Sequence, residues 1–309
     1  MRALMVKPLR PVLLAALVLA AAAGCGLKQT SRILFDRSGR EVRVKGPLNR
    51  IVSIAPSNTE IIADLGLADK LVGIDVHSVD VEGIPPGLTL VDFFYPNAEV
   101  LLGLEPDVII AHGHNATGSG EDPLGVLREM GIPVAYISMS RSVNDIYDDI
   151  AFIADLLRVP ERGEALIRAT REQIEKTRRE TSAVKTPRTV YFEIGAAPEM
   201  FTFGKDSFLN DMVSIIGAKN IFENDNWVLS PSAEAVIDRD PEVILTNVNY
   251  LEDPIGEIKG RPGFDHIRAV VHNRVYRIDT NSSVRPTARI VLALRQMARA
   301  VYPEVYEER

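Results

Sequence analysis

Cysteine is almost missing from this chain of 309 residues: Cys25 is the whole complement. A single thiol excludes an intramolecular disulfide, so the fold must be held by its core alone. Aromatic side chains make up 6% of the residues, with one tryptophan. Clusters of Lys and Arg are absent and the formal net charge is −7, a balance that argues against nucleic acid as a partner. The apolar run from Pro11 to Ala23 falls short of the roughly 20 residues that a membrane-crossing helix needs. Gly-x-Ser-x-Gly, His-Glu-x-x-His, the P-loop and the Rossmann glycine fingerprint are all missing. No catalytic residue is therefore assigned, and an enzyme is not expected.

The N-terminus carries Arg2, Lys7 and Arg10 ahead of that apolar run, the layout of a secretory signal. Ala22-Ala23-Gly24-Cys25 then resembles the lipobox of bacterial lipoproteins, in which the cysteine is acylated and becomes the mature N-terminus. Residues 1–24 are thus expected to be a lipoprotein signal peptide and 25–30 a tether, with Cys25 the lipidation site. The expected location is exported and membrane-anchored, facing the periplasm or the cell surface. Loss of the signal removes three positive charges and leaves the rest more acidic.

Beyond the tether, β-branched runs alternate with helical patterns. Residues 32–35 and 41–44 flank Asp36-Arg-Ser-Gly39 as a hairpin. Strands are expected at 50–55, 71–75, 107–111 and 134–137, with helices at 98–104, 123–130 and 143–157. Another helix is expected to start at an N-cap on Ser57 or Asn58 and run through Ile61, Ile62 and Leu65 to Gly66. Apolar strands in a βαβα order indicate a parallel sheet covered on both faces. The Glu-, Lys- and Arg-rich stretch 161–182 follows Pro160 and would span on the order of 33 Å as a helix, enough to link two lobes. The rhythm restarts with strands at 189–193, 242–246 and 274–278, and helices at 207–216 and 286–301. An internal echo supports two related lobes: Ala98-Glu-Val-Leu-Leu-Gly-Leu-Glu-Pro-Asp-Val-Ile-Ile-Ala111 parallels Ala233-Glu-Ala-Val-Ile-Asp-Arg-Asp-Pro-Glu-Val-Ile-Leu-Thr246. The expected fold is α/β: an N-terminal lobe over 31–157, a connecting helix within 158–184 and a C-terminal lobe over 185–309. Each lobe has a mostly parallel sheet, and a ligand cleft lies where strand C-terminal ends face each other.

Arg50-Ile-Val-Ser-Ile-Ala-Pro-Ser-Asn-Thr-Glu-Ile61 through Val72-Gly-Ile-Asp75 resembles the opening of the periplasmic binding proteins for cobalamin and iron chelates. So do Pro96-Asn-Ala-Glu99, Glu105-Pro-Asp-Val-Ile109, Phe203-Gly-Lys-Asp-Ser-Phe208 through Ile221, Asn273-Arg-Val-Tyr-Arg-Ile278 and Arg285-Pro-Thr-Ala-Arg-Ile290. The resemblance covers nearly all of residues 31–302. It implies two lobes on one long helix, little hinge motion, and delivery of a small metal chelate to the permease dimer of an ABC importer. It also implies one transporter-docking Glu per lobe, Glu99 and Glu234, which occupy equivalent positions of the echo. Two such carboxylates suit charge-assisted pairing on a two-fold membrane partner.

Residues just after strand ends are the candidate ligand contacts. In the first lobe they are Ser57, Asn58, His77, Phe93, Phe94, Tyr95, His112 and His114. In the second they are Glu193, Phe201, Trp227, Asn249, Tyr250, Ser283 and Arg285. Phe93-Phe94-Tyr95 concentrates aromatics in a loop, a natural platform for a flat macrocycle. His112 and His114 carry imidazoles that can ligate cobalt, iron or zinc, or simply hydrogen-bond. In cobalamin-binding relatives an aromatic platform stands where His112 is, which leaves ligand identity open. Arg285 can neutralise an anionic ligand or be held by a neighbouring acid. No resident cofactor and no bare-metal site are expected; the ligand is expected to be a corrinoid, with haem or a ferric siderophore as the alternative. A metallocluster oxidoreductase on the same fold is disfavoured for want of cysteines.

Overall fold

A computed structural model describes residues 31–117 and 122–307. The N-terminal hairpin pairs β1 (Ser31–Phe35) with β2 (Glu41–Lys45) antiparallel, turning on the Asp36 carboxylate, which accepts the backbone N–H of Ser38 and Arg40. The first lobe then runs β3 (Ile51–Ile54), α1 (Pro56–Asp64), β4 (Leu71–Asp75), β5 (Thr89–Val91), α2 (Ala98–Gly103), β6 (Val108–His112), α3 (Gly113–Thr117), α4 (Gly125–Glu129), β7 (Val134–Ile137) and α5 (Val143–Leu156). α6 (Pro160–Thr181) crosses to the second lobe. There the order is β8 (Thr189–Glu193), β9 (Thr202–Phe203), α7 (Phe208–Ile215), β10 (Lys219–Asn220), β11 (Val228–Leu229), α8 (Ala233–Arg239) and β12 (Val243–Thr246). It closes with α9 (Pro254–Lys259), α10 (Arg268–Val271), β13 (Val275–Arg277), α11 (Thr280–Val284), α12 (Ile290–Val301) and α13 (Pro303–Glu307).

Both central sheets are parallel: β5-β4-β3-β6-β7 in the first lobe and β10-β8-β12-β13 in the second. The orders β4-β3-β6-β7 and β10-β8-β12-β13 correspond strand for strand, so the two halves of the sequence echo (α2 to β6, α8 to β12) occupy like positions in the topology of each lobe. Every residue of β3, β7 and β12 is buried, as parallel strands covered on both faces must be.

One hydrophobic cluster runs through both lobes. It joins Ile61 and Ile153 of the first, Ile174 of α6, and Met212 and Leu294 of the second. Two smaller clusters fill the outer face of each sheet, around Ile109 and Tyr136 in one and Tyr191 and Phe264 in the other. A core shared across the lobes ties them through packing rather than through a free linker. α6 begins with Pro160, whose fixed φ suits a first helical turn, and meets α5 at Gly163, where an added Cβ would lie 2.5 Å from Ala154 Cβ.

Two element ends and one unexpected helix bear on the cleft. α1 starts at Pro56, so Ser57 and Asn58 are inside the helix and cap nothing; Ala55 precedes it in an extended conformation. The closing helix starts at Ile290 rather than Pro286, because Arg285 is extended and ends α11 instead. α11 itself, a short helix capped by Asp279, lies in an Asn-Ser-Ser stretch that reads as loop.

Candidate functional site

The cleft is built from the carboxyl ends of the strands. Beyond β3 come Ala55, Pro56 and Ser57; beyond β4, the Asp75 carboxylate accepts the His77 N–H and turns the chain through Val76, His77 and Val79. Beyond β5, Asp92 Oδ1 accepts the N–H groups of Phe94 and Tyr95, each at 2.7 Å, which fixes the aromatic loop. His112 ends β6. The opposing wall is Asn249 after β12, and Asn281, Val284, Arg285 and Pro286 after β13. These residues enclose about 610 Å³, within the range of small-molecule sites.

Phe93 organises the first-lobe wall. Its ring centroid is 5.7 Å from that of His112 and 6.3 Å from that of His77. Phe94 meets it edge-on at 4.9 Å, and His114 lies 6.3 Å away on the exposed rim. The Phe93 carbonyl accepts Asn115 Nδ2 at 2.6 Å while Asn115 Oδ1 accepts the His112 N–H at 3.0 Å, so loop and strand end are one unit. Burial, with a smaller contribution from His114, pushes the His112 pKa down to about 4, so this imidazole is neutral at physiological pH.

Arg285 reaches from the second lobe into the first. Its Nη1 donates to Glu60 Oε1 at 2.8 Å, and its Nη2 donates to Asp80 Oδ1 at 2.7 Å and to the His77 carbonyl at 3.1 Å. Thr287 Oγ1 donates to the other Glu60 oxygen at 2.9 Å, and Asn281 Nδ2 to Asp80 at 2.6 Å. Burial alone would raise the Asp80 carboxyl, but the bonds from Arg285 and Asn281 outweigh it and hold it below the usual carboxylate range. Burial likewise disfavours charged Arg285, and its two carboxylates reverse that, so its pKa rises. Arg289 adds an outer pair with Asp64 at 3.2 Å. The cleft arginine is therefore neutralised within the protein.

Of the residues picked from sequence, Ser57, His77, Phe93, His112, Asn249 and Arg285 line this cleft. Phe94 and Tyr95 do not line it; they are 58% and 84% exposed. Asn58 does not line it: the side chain is wholly buried, with Nδ2 donating to the Ala111 carbonyl at 3.4 Å. Glu193 does not either. It is buried against Arg261, whose Nη1 and Nη2 reach its carboxylate oxygens at 2.5 and 2.9 Å, because the last residue of β8 points into the sheet's outer core. Ser283 is turned into α11, donating to the Asp279 carbonyl and accepting from Asn247. Phe201 packs over Gly195, and the Tyr250 hydroxyl accepts the Ala196 N–H at 2.7 Å. Trp227 belongs to a second hollow, of about 520 Å³, with Arg37, Ser138, Asp149 and Arg141, whose guanidinium lies 5.4 Å from the indole centroid. Glu99 and Glu234 are exposed at the first turns of α2 and α8, capped by Asn97 and Ser232 respectively. Cys25 lies outside the described residues. Sequence reasoning missed Glu60, Asp80 and Asn281; the one usable signal was the matching four-residue spacing of Glu60/Asp64 and Arg285/Arg289.

Two like lobes on a shared core, joined by one long helix with a cleft at the strand ends, have the build of a two-lobed solute receptor. Residues 51–281 match the family described as periplasmic binding protein, and the chain belongs to that family. It is 28% identical over 314 residues, 95% of this chain and 98% of the relative, to an uncharacterized ABC transporter substrate-binding lipoprotein, YvrC, of Bacillus subtilis (strain 168). It is 30% identical over 200 residues to the vitamin B12-binding protein of Yersinia pestis (strain Pestoides F), covering 64% of this chain and 69% of that one. Among solved structures, a possible iron-binding (periplasmic solute-binding) protein from Staphylococcus epidermidis superimposes with a TM-score of 0.74 at 30% identity, over 82% of this chain and 99% of that one. Members of this family are exported, non-enzymatic components that serve ABC importers, and this chain is such a substrate-binding protein.

Proposed function

We propose that the chain binds a corrinoid in the interlobe cleft, is held at the membrane by lipid on Cys25, and presents its ligand to an importer through Glu99 and Glu234. The observation that carries the ligand reading is Arg285. The one arginine among the cleft-lining residues is committed to Glu60 and Asp80, so the cleft has no spare guanidinium for an anionic chelate. What faces the ligand is instead aromatic and aliphatic surface with a neutral imidazole: Phe93, Val76, Val79, Val284 and His112. Such a surface suits a macrocycle with little net charge, whose rim offers amides for hydrogen bonding. The vitamin B12-binding relative supports the same class. Among the described residues no group of three or more His, Cys, Asp or Glu is placed to hold a metal ion, which favours a ready-made chelate over a bare cation.

Haem or a ferric siderophore is the second reading, favoured by the structural neighbour described as a possible iron-binding protein and opposed by the neutralised Arg285. Calorimetric titration of the full chain with cyanocobalamin, haem and ferric siderophores separates them. Saturable one-to-one heat with cyanocobalamin supports the corrinoid. Heat with only an iron chelate replaces it.

A further inference from the structure

His112 carries an imidazole able to ligate a metal, and its surroundings assign it a different task. The backbone N–H of His114 points at His112 Nδ1, 3.2 Å away. A backbone N–H can only donate, so Nδ1 must present its lone pair, and the single proton of the neutral ring sits on Nε2. Ring position is fixed on three sides: the His112 N–H is bound by Asn115, Asn115 holds the Phe93 carbonyl, and the Phe93 ring lies against the imidazole. Nε2 has no protein partner among the described residues, and the residue lines the cleft.

A histidine that ligates a metal through Nε2 needs the opposite tautomer, with its Nδ1–H given to a carbonyl or carboxylate. Here that place is taken by another donor. Coordination would set two N–H groups head to head or require an imidazolate. We infer that His112 is a specificity-determining hydrogen-bond donor, offering Nε2–H to an acceptor oxygen on the rim of the chelate (an amide carbonyl or carboxylate), and is not an axial ligand to its metal. Protonation would put the ring's second hydrogen on Nδ1, against the His114 N–H, so the same contact opposes it. The inference rests on the cleft being the ligand site.

Two measurements on the full chain test it, and they fail separately. Long-range proton–nitrogen correlation spectra of histidine-labelled protein without ligand, assigned with His112→Gln, should show a pyridine-like Nδ1 and a pyrrole-like Nε2 at neutral pH. The reverse pattern overturns the inference whatever the ligand. Cyanocobalamin affinities then read the donor: His112→Gln, which keeps an N–H, should stay within about threefold of wild type, and His112→Leu should lose roughly tenfold, the worth of one hydrogen bond. Equal losses in both variants point to coordination, and no loss in either removes the contact; both outcomes contradict the assignment. Absence of any cyanocobalamin binding counts against the corrinoid reading alone, and the tautomer spectra still decide the state of His112.

Discussion

Arg285 Nη1 lies 2.8 Å from Glu60 Oε1, joining the two lobes through a pair that is nearly inaccessible on both sides, at 9% and 4% side-chain exposure. Removing one partner of such a pair strands the other charge, which costs about 3 kcal/mol or more. Arg285→Ala should therefore lower stability by about that amount, with a melting temperature several degrees down, and Glu60→Gln should recover part of the loss in the double variant. Denaturant unfolding of the four-member cycle checks this. Because Arg285 is engaged internally, its loss should weaken an anionic chelate no more than a neutral one.

Glu99 and Glu234 sit at equivalent helix starts of the two lobes. The Glu234 carboxyl is held below its usual range, first by its own backbone N–H and then by the Ser232 hydroxyl, so it is ionised at neutral pH. Replacing both with Ala should leave ligand affinity in solution unchanged and reduce importer-dependent uptake by about tenfold or more. Uptake in cells and calorimetry on the purified variant, taken together, separate docking from binding.

His112 titrates near 6.5 when unfolded and at about 4 in the folded chain. Between those values the unfolded state holds the extra proton, so this residue's contribution to stability falls as pH drops from about 6.5 to 4. Asp149, pushed up to about 6 by burial despite its bonds to Arg37 and Ser140, runs the other way: the folded state holds its proton between 3.8 and about 6. His112→Gln isolates the first effect. Its stability relative to wild type should rise on acidification from pH 7 to 4, by about 2 kcal/mol, in parallel denaturant titrations.

Gly163 lets α6 lie against α5, and a Cβ there would meet Ala154. Gly163→Ala trades a better helix residue for overpacking at the crossing, and the clash should win. A net destabilisation of about 1–3 kcal/mol is expected, read from the unfolding midpoint.

The architecture was legible where local pattern and burial agree. The apolar runs of β3, β6, β7, β8 and β12 carry their own signal, and the Ala-Glu echo placed α2 and α8 in like positions. Phe93 was readable from the aromatic cluster at 93–95, and His112 because it ends an apolar strand. Glu193 also ends a strand, but β8 turns its last side chain to the outer core and Arg261, a facing that only the tertiary structure sets. Ser283 was misplaced because α11 forms in a polar stretch, held by the Asp279 cap. The Arg285–Glu60 pair spans more than two-thirds of the chain, and no local pattern encodes a contact at that separation.

The central claim, a corrinoid seated between the lobes, is tested most directly by the cyanocobalamin affinity of the full chain beside that of Val284→Trp, which fills the cleft from a partly exposed position. The account predicts saturable one-to-one binding to the wild type and a loss of about tenfold or more in the variant. No saturable binding to the wild type, or equal affinity in the two proteins, would contradict it.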